Sequence, residues 1–343
     1  MQAVDRDLNY SEIAKLTLKV TPPWYLNGWI VFPSGGVILA FVVSFISFVA
    51  RYYHQRRESQ RLRQQMLEQE RQARETVEAK NEEIQSLNEQ LQDENLRMSA
   101  ELEITERIQR MILPSADELK AIADLDIAGY MEPADDVGGD YYDVLQREGT
   151  VAISIGDVTG HGLESGLVML MTQTAVQTLL HSGETDPVRF LNTLNRTIYN
   201  NVQRMASDKN LTLCLLDYQS GELKLSGQHE EMIVVRKDGK VELVNTIDLG
   251  FPIGLENEIA EFIDQTTVQL APGDGVVLYT DGITEAENEI REQYGLERLC
   301  EVVSRHWLQS AEGIKDAVVA DVLSFISEGE IYDDITLLVL KQK

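Results

Sequence analysis

Two cysteines and eight prolines are all that the 343 residues contain. Two cysteines are too few for a disulfide scaffold. Cys214 and Cys300 stand in apolar runs and read as reduced, buried thiols, which suits a reducing compartment for the C-terminal part. Basic residues are scarce as well: 30 Lys and Arg face 57 Asp and Glu, for a formal net charge of −27. Such a balance argues against nucleic acid as a partner. It favours metal cations or a partner with a basic face. The length allows one or two domains with a full core.

Charge is missing altogether from Trp29 to Ala50, "WIVFPSGGVILAFVVSFISFVA". That is about the length of a bilayer-spanning helix, and Pro33, Gly35 and Gly36 suit a membrane better than a soluble core helix. Arg51, Arg56 and Arg57 follow, which marks the cytoplasmic side, and Tyr52 and Tyr53 suit the interface. The expectation is a single-pass inner-membrane anchor over 29–50, with the N-terminus outside and everything after Arg51 in the cytoplasm. Residues 1–28, with "LTLKVTPPWYLNGW", resemble the last strand of the immunoglobulin-like module that precedes the membrane helix in some bacterial sensors. A lone strand cannot bury a face, so this segment reads as a remnant or docking strand.

From Gln55 to Ile112 there is neither glycine nor proline, and the good helix formers Glu, Gln, Arg and Lys dominate. Val77, Ile84, Leu91, Met98, Thr105 and Ile112 recur every seven residues. The companion series Ala73, Lys80, Leu87, Glu94, Glu101 and Ile108 is poorer. Residues 51–113 therefore read as a juxtamembrane and coiled-coil stalk, expected to pair as a parallel homodimer; a solvated helical spacer is the alternative. The helix is expected to stop at Pro114.

From 114 to 343 strand-like runs alternate with glycine turns, interrupted by helical stretches at about 163–182, 187–205 and 296–327. Hairpin signals such as "KDGK" argue for antiparallel pairing. The predicted class is α+β: two antiparallel sheets in the middle with helices outside.

Acidic residues recur at the strand rims. In "VGGDYYDVLQREGTVAISIGDVTGHG", a turn at Glu148-Gly149 sets Arg147 opposite Thr150, Val144 opposite Ile153 and Tyr142 opposite Ile155. The same count carries Asp140 opposite Asp157, with Cβ atoms roughly 5 Å apart. Two carboxylates so close repel unless one is protonated or a cation sits between them. Asp281 ends one strand, and Asp333 and Asp334 begin another. If those strands are antiparallel neighbours, all these carboxylates collect at one rim. Hard oxygen ligands with glycines alongside suit Mg²⁺ or Mn²⁺. Any one of these aspartates alone is an ordinary turn former or helix cap.

"VGGDYYD", "GDVTGHG", "LYTDGITEAEN" and "DDITLLVL", in this order, resemble the signature of the metal-dependent 2C-type protein phosphatases, and more closely their bacterial SpoIIE/RsbU-like subgroup. "IQRMILP" (Ile108 to Pro114) resembles the helix that leads into that domain. The resemblance implies an αββα sandwich with a binuclear Mn²⁺/Mg²⁺ centre. It implies removal of phosphate from Ser or Thr, often on a small STAS-type anti-sigma-factor antagonist. It also implies Asp140 and Asp157 as metal ligands with Asp157 bridging, the Val158 carbonyl as a ligand, and Asp281 from the third motif. In the fourth, Asp333 aligns with the ligand and Asp334 with its neighbour. There are departures. "EPADDVGGD" lacks the arginine that often grips the phosphate, and "SGQHEEMIVVR" keeps His229 but follows it with acidic residues. His161 reads either as a proton donor to the leaving oxygen or as a turn residue capping the next helix. His229 reads as structural, and His54, His181 and His306 have no assigned role. Two rivals are a diguanylate cyclase, suggested by "GGDYYD", and a catalytically inactive transducer.

Overall fold

Trp29 begins no new element, because one helix already runs through it. α1 spans Gly28–Ile112, and its length follows from the absence of helix breakers after Gly36. The structure, a computed structural model of the full chain, describes all residues except 1, 4, 5, 7–9, 11, 13–16, 22, 24, 26, 27, 135, 136, 148, 328 and 330; at 28–36 and 98–106 it describes the backbone only. The expected remnant strand in 1–28 lies partly outside the described residues, and its described stretch 17–21 forms no strand; the side chains of Met98, Glu101 and Thr105 lie outside them too. The chain divides into two units, 1–92 and 93–343. In the first, the stretch from Val37 onward is long and apolar enough to cross a membrane, with a mean hydropathy of 1.6 over its apolar window. Val37, Ile38, Leu39 and Phe41 are exposed there.

In the second unit α1 ends at Ile112, two residues before Pro114. Ser115 and Glu118 then form a capping box that starts the short helix α2 (Ala116–Ala121). Two antiparallel five-stranded sheets follow. The first has the order β1 (Leu125–Glu132), β10 (Ile335–Gln342), β9 (Gly275–Tyr279), β6 (Met232–Val235), β7 (Val241–Val244). The second runs β2 (Tyr141–Arg147), β3 (Thr150–Val158), β4 (Leu211–Gln219), β5 (Glu222–Ser226), β8 (Gln265–Gln269). Period-two alternation decides which face each residue buries. On β10, Leu338 and Leu340 point into the inter-sheet core with Ile153, Ile155, Leu216 and Val276. Ile335, Leu337 and Val339 point the other way, onto α6 (Leu296–His306) and α7 (Ala311–Ile326). Tyr141, Val158, Leu211 and Leu213 likewise turn outward onto α3 (Leu163–Ser182) and α4 (Pro187–Met205). The layers are therefore helix, sheet, sheet, helix, as the α+β reading expected. Cys214 is buried in the inter-sheet core, and Cys300 is half-buried on α6.

Two elements depart from the sequence expectation. β1 carries no clear strand signal in "LDIAGYME", yet it pairs with β10 from Leu125–Gln342 to Glu132–Ile335. Its alternation is interrupted by Gly129, and pairing with a fully buried neighbour defines it instead. The stretch expected as one helix at 296–327 is two. α6 ends at His306, with Trp307 as its C-cap, and Ser310 caps α7 by accepting from the Gly313 N–H. The break lets each helix lay its own apolar face on the sheet; one straight rod would leave it.

Candidate metal centre

The β2–β3 ladder follows the predicted register, with Arg147 opposite Thr150, Val144 opposite Ile153 and Tyr142 opposite Ile155. Beyond its last pair, Tyr141–Gly156, the Val158 N–H donates to Gly139 O at 3.4 Å. Pairing thus continues without a bulge, and the register sets Asp140 opposite Asp157. Two carboxylates so placed repel unless one is protonated or a cation lies between them. In the other sheet β9 and β10 are antiparallel, with Tyr279 opposite Leu337. Asp281, two residues past β9, thereby lies beside Asp333 and Asp334 at the start of β10. The single-turn helix α5 (Asp281–Thr284) begins at Asp281.

Asp140 is 1% exposed. Its Oδ2 accepts from Thr280 Oγ1 at 2.7 Å, while Oδ1 is buried with no donor. Burial, then the charges of Asp157 and Asp334, hold its pKa well above the usual carboxylate range. Burial, then Asp281 and Asp333, push Asp157 up to about 8. Burial, then Asp333 and Glu285, push Asp281 to about 6. The carboxylates of four separate motifs thus act on one another, and a group of like charges in low dielectric is short of positive charge.

Asp334 is engaged differently. Its Oδ1 accepts from Ala134 N at 2.8 Å, and its Oδ2 from Gly139 N at 2.5 Å and Asp140 N at 3.3 Å. It therefore clasps the backbone of the loop that presents Asp140. Glycine is required on both sides of this clasp. A Cβ on Gly138 would come within 2.4 Å of Asp334 Oδ2, and one on Gly282 within 2.0 Å of Asp334 O. Asp333 is half-buried, and its Oδ1 accepts from the Asp334 N–H. The same loop is gripped from behind by the last turn of α1. Buried Gln109 donates through Nε2 to Gly138 O at 2.7 Å and accepts from Gly138 N at 3.2 Å. Gln109 and Thr280, which hold Gly138 and Asp140 through hydrogen bonds, were passed over by the motif reading, although both sit inside the quoted motifs. Asp143, which accepts from Gln173 and Gln177 on α3, ties β2 to that helix in the same way.

Val158 is fully buried, and its carbonyl faces Gly139. His161 is exposed on the loop after β3. The cap of α3 is Gly162 at φ 94°, with no side-chain cap bond, so the helix-capping role considered for His161 is not what this turn uses. Asp333 and Gly282 also border an open cleft of about 310 Å³ shared with Glu285, Glu287, Arg291 and Tyr332.

The donor set is all oxygen and contains an orphan buried carboxylate atom, which fits a hard divalent cation. Among the described residues no three His, Cys, Asp or Glu side chains already close on one point. Mg²⁺ takes only one or two protein carboxylates and keeps several waters, so the residues fit an ion that brings its own water.

Comparison with known proteins accords with this geometry. Residues 147–343, more than half of the chain, match the family described as Stage II sporulation protein E (SpoIIE). Phosphoserine phosphatase RsbU of Bacillus subtilis (strain 168) is 28% identical over 253 residues, spanning 72% of this chain and 71% of that protein. Protein IcfG of a Synechocystis strain is 27% identical over 270 residues, spanning 70% of this chain and 41% of that one. The SiaA-PP2C domain of Pseudomonas aeruginosa superposes with a TM-score of 0.63 at 23% identity, covering 73% of this chain and 98% of that domain. At that identity the likeness speaks to the fold. The chain therefore belongs to the SpoIIE family, and its C-terminal part has the fold of a 2C-type phosphatase domain.

Proposed function

We propose that the chain is a membrane-anchored, divalent-metal-dependent phosphatase acting on phosphoserine or phosphothreonine, with a STAS-type anti-sigma-factor antagonist as its substrate. The observation that carries the reading is the convergence of acidic side chains from both sheets on one rim, where Asp140 Oδ1 is buried without a donor. Asp140, Asp157, Asp281 and Asp333, with the Val158 carbonyl, would hold two Mn²⁺ or Mg²⁺ ions. Asp334, its oxygens taken by three N–H groups, shapes the loop, with any ligand role secondary. Bound there, such ions supply a water activated at neutral pH and neutralise the phosphoryl group. With cations bound, these carboxylates would be ionised and would orient the attacking water. Thr280 and Gln109 keep the Asp140 loop from moving. His161, exposed on the loop after β3, would give a proton to the leaving serine oxygen. The phosphoserine class draws support from the name of the Bacillus relative.

The apolar, exposed start of α1 and the arginines after it support a single-pass anchor with the phosphatase in the cytoplasm. Val77, Ile84, Leu87 and Leu91 are each more than half exposed on the single chain. A second copy of the same helix, in parallel, is the occupant their seven-residue spacing fits. The cyclase reading draws no support, because "GGDYYD" opens β2 while the hairpin closes between Arg147 and Thr150. That reading also leaves Asp281 and Asp333 without a role.

The test is phosphate release from p-nitrophenyl phosphate and a phosphoserine peptide. Release that requires Mn²⁺ and vanishes in Asp157→Asn is expected. Release unchanged in that variant, or dinucleotide formation from GTP, contradicts the proposal.

A further inference from the structure

His229 lies in the crossover from β5 of one sheet to β6 of the other. Its backbone is pinned there. The His229 N–H donates to Thr246 Oγ1 at 3.0 Å, and the buried Thr246 hydroxyl donates back to His229 O. Both ring nitrogens are used. Nε2 is 3.0 Å from Tyr279 O, and Nδ1 is 2.8 Å from Thr212 Oγ1. A carbonyl only accepts, so Nε2 carries the proton. Burial lowers the ring's pKa to about 4. The ring is thus neutral, and Nδ1 accepts from the threonine hydroxyl.

The two partners are not arbitrary. Thr212 is the cross-strand partner of Asp157 in the β3–β4 ladder. Tyr279 is the last residue of β9, two before Asp281. Thr212 belongs to one sheet and Tyr279 to the other. The imidazole therefore spans the gap between the sheets behind the two aspartates they contribute. Thr280 to Asp140, and Asp334 to the Gly139 and Asp140 N–H groups, also join the two sheets at the rim.

We propose that His229 is a positioning residue that fixes the separation of Asp157 and Asp281, and with it the affinity of the acidic cluster for divalent ions. The inference rests on the metal-dependent reading above. Apolar contacts already hold the sheets together deeper in the sandwich, so the ring's contribution is to spacing at the rim. Residues behind the ligands of a metal site typically alter affinity by about 10- to 100-fold when replaced.

The experiment is Mn²⁺ titration calorimetry on the full chain in detergent, alongside thermal unfolding of the metal-free protein. His229→Phe keeps a ring and removes both bonds; His229→Gln keeps a donor and an acceptor; Thr212→Val removes one bond only. The expected result is an affinity about 10- to 100-fold lower in His229→Phe, with partial recovery in His229→Gln and a smaller loss in Thr212→Val. Wild-type affinity in both His229→Phe and Thr212→Val overturns the inference. So does a loss in His229→Phe that coincides with collapse of the metal-free fold while Thr212→Val binds as wild type. A wild-type chain that takes up no Mn²⁺ overturns this inference together with the reading beneath it, whereas normal wild-type uptake with unaltered variants overturns this inference alone.

Discussion

Asp140 and Asp157 are costly residues to hold side by side. Burial raises both; the charges of Asp157 and Asp334 add to the rise of Asp140, and those of Asp281 and Asp333 to that of Asp157. With Asp157 near 8 and Asp281 near 6, the folded metal-free chain holds more protons than the unfolded chain between about pH 4 and 8. Stability must then fall as pH rises through that window. The thermal midpoint of metal-free protein is expected to be higher near pH 5.5 than near pH 8, and Mn²⁺ to raise it more at the higher pH, since binding displaces those protons. Scanning calorimetry at both pH values with a chelator and with Mn²⁺ checks this; a midpoint that climbs with pH in chelator contradicts it. Asp140→Asn removes one carboxylate while leaving the Thr280 bond possible. It is expected to cut turnover by more than about 100-fold, beyond the range for residues that merely support ligands, with the fold retained by circular dichroism. The pairing of these two aspartates was legible in the sequence, because a two-residue turn fixes the register of everything beyond it. The division of labour between Asp333 and Asp334 was not. Adjacent identical side chains carry no pattern, and only the three N–H groups converging on Asp334 separate them.

At the level of elements, the end of α1 reaches the site through one side chain. Gln109 makes two buried hydrogen bonds to Gly138, next to the loop residue that Asp334 holds. Each bond is worth about 1 kcal/mol net. Gln109→Ala is therefore expected to lower turnover roughly 10-fold without unfolding the domain, measured as kcat on a phosphoserine peptide; unchanged kcat would remove this link. In the inter-sheet core, Leu338→Ala on β10 leaves a cavity against both sheets. It should cost about 2–5 kcal/mol, read as a shift of the urea midpoint. α3 and α4 were legible to the residue, since a Gly or Asp at the start and Gly183 at the end of α3 punctuate them. β1 and the split between α6 and α7 were not. An edge strand takes its definition from its neighbour, and the polar turn at Gln309 and Ser310 interrupts the apolar period without glycine or proline.

On the scale of the whole molecule, a chain of net charge −27 carries an apolar, exposed helical start and a cluster of carboxylates at one rim of its sheets. The exposed seven-residue series on α1 is expected to bring two chains together. Leu91→Glu should shift the detergent-solubilised protein from dimer to monomer in analytical ultracentrifugation, and a dimer unaffected by that change contradicts a seam through Leu91. Replacing Lys80, Glu94 and Glu101 by leucine tests whether polar seam residues transmit a signal: altered turnover in an intact dimer is expected, and unchanged turnover ends the idea. The central claim is that carboxylates from both sheets share divalent ions at one rim. The most direct measurement is a manganese anomalous-difference map from crystals of the phosphatase domain grown in Mn²⁺. The account predicts two peaks among Asp140, Asp157, Asp281 and Asp333; an empty rim, or manganese held elsewhere on the surface, would contradict it.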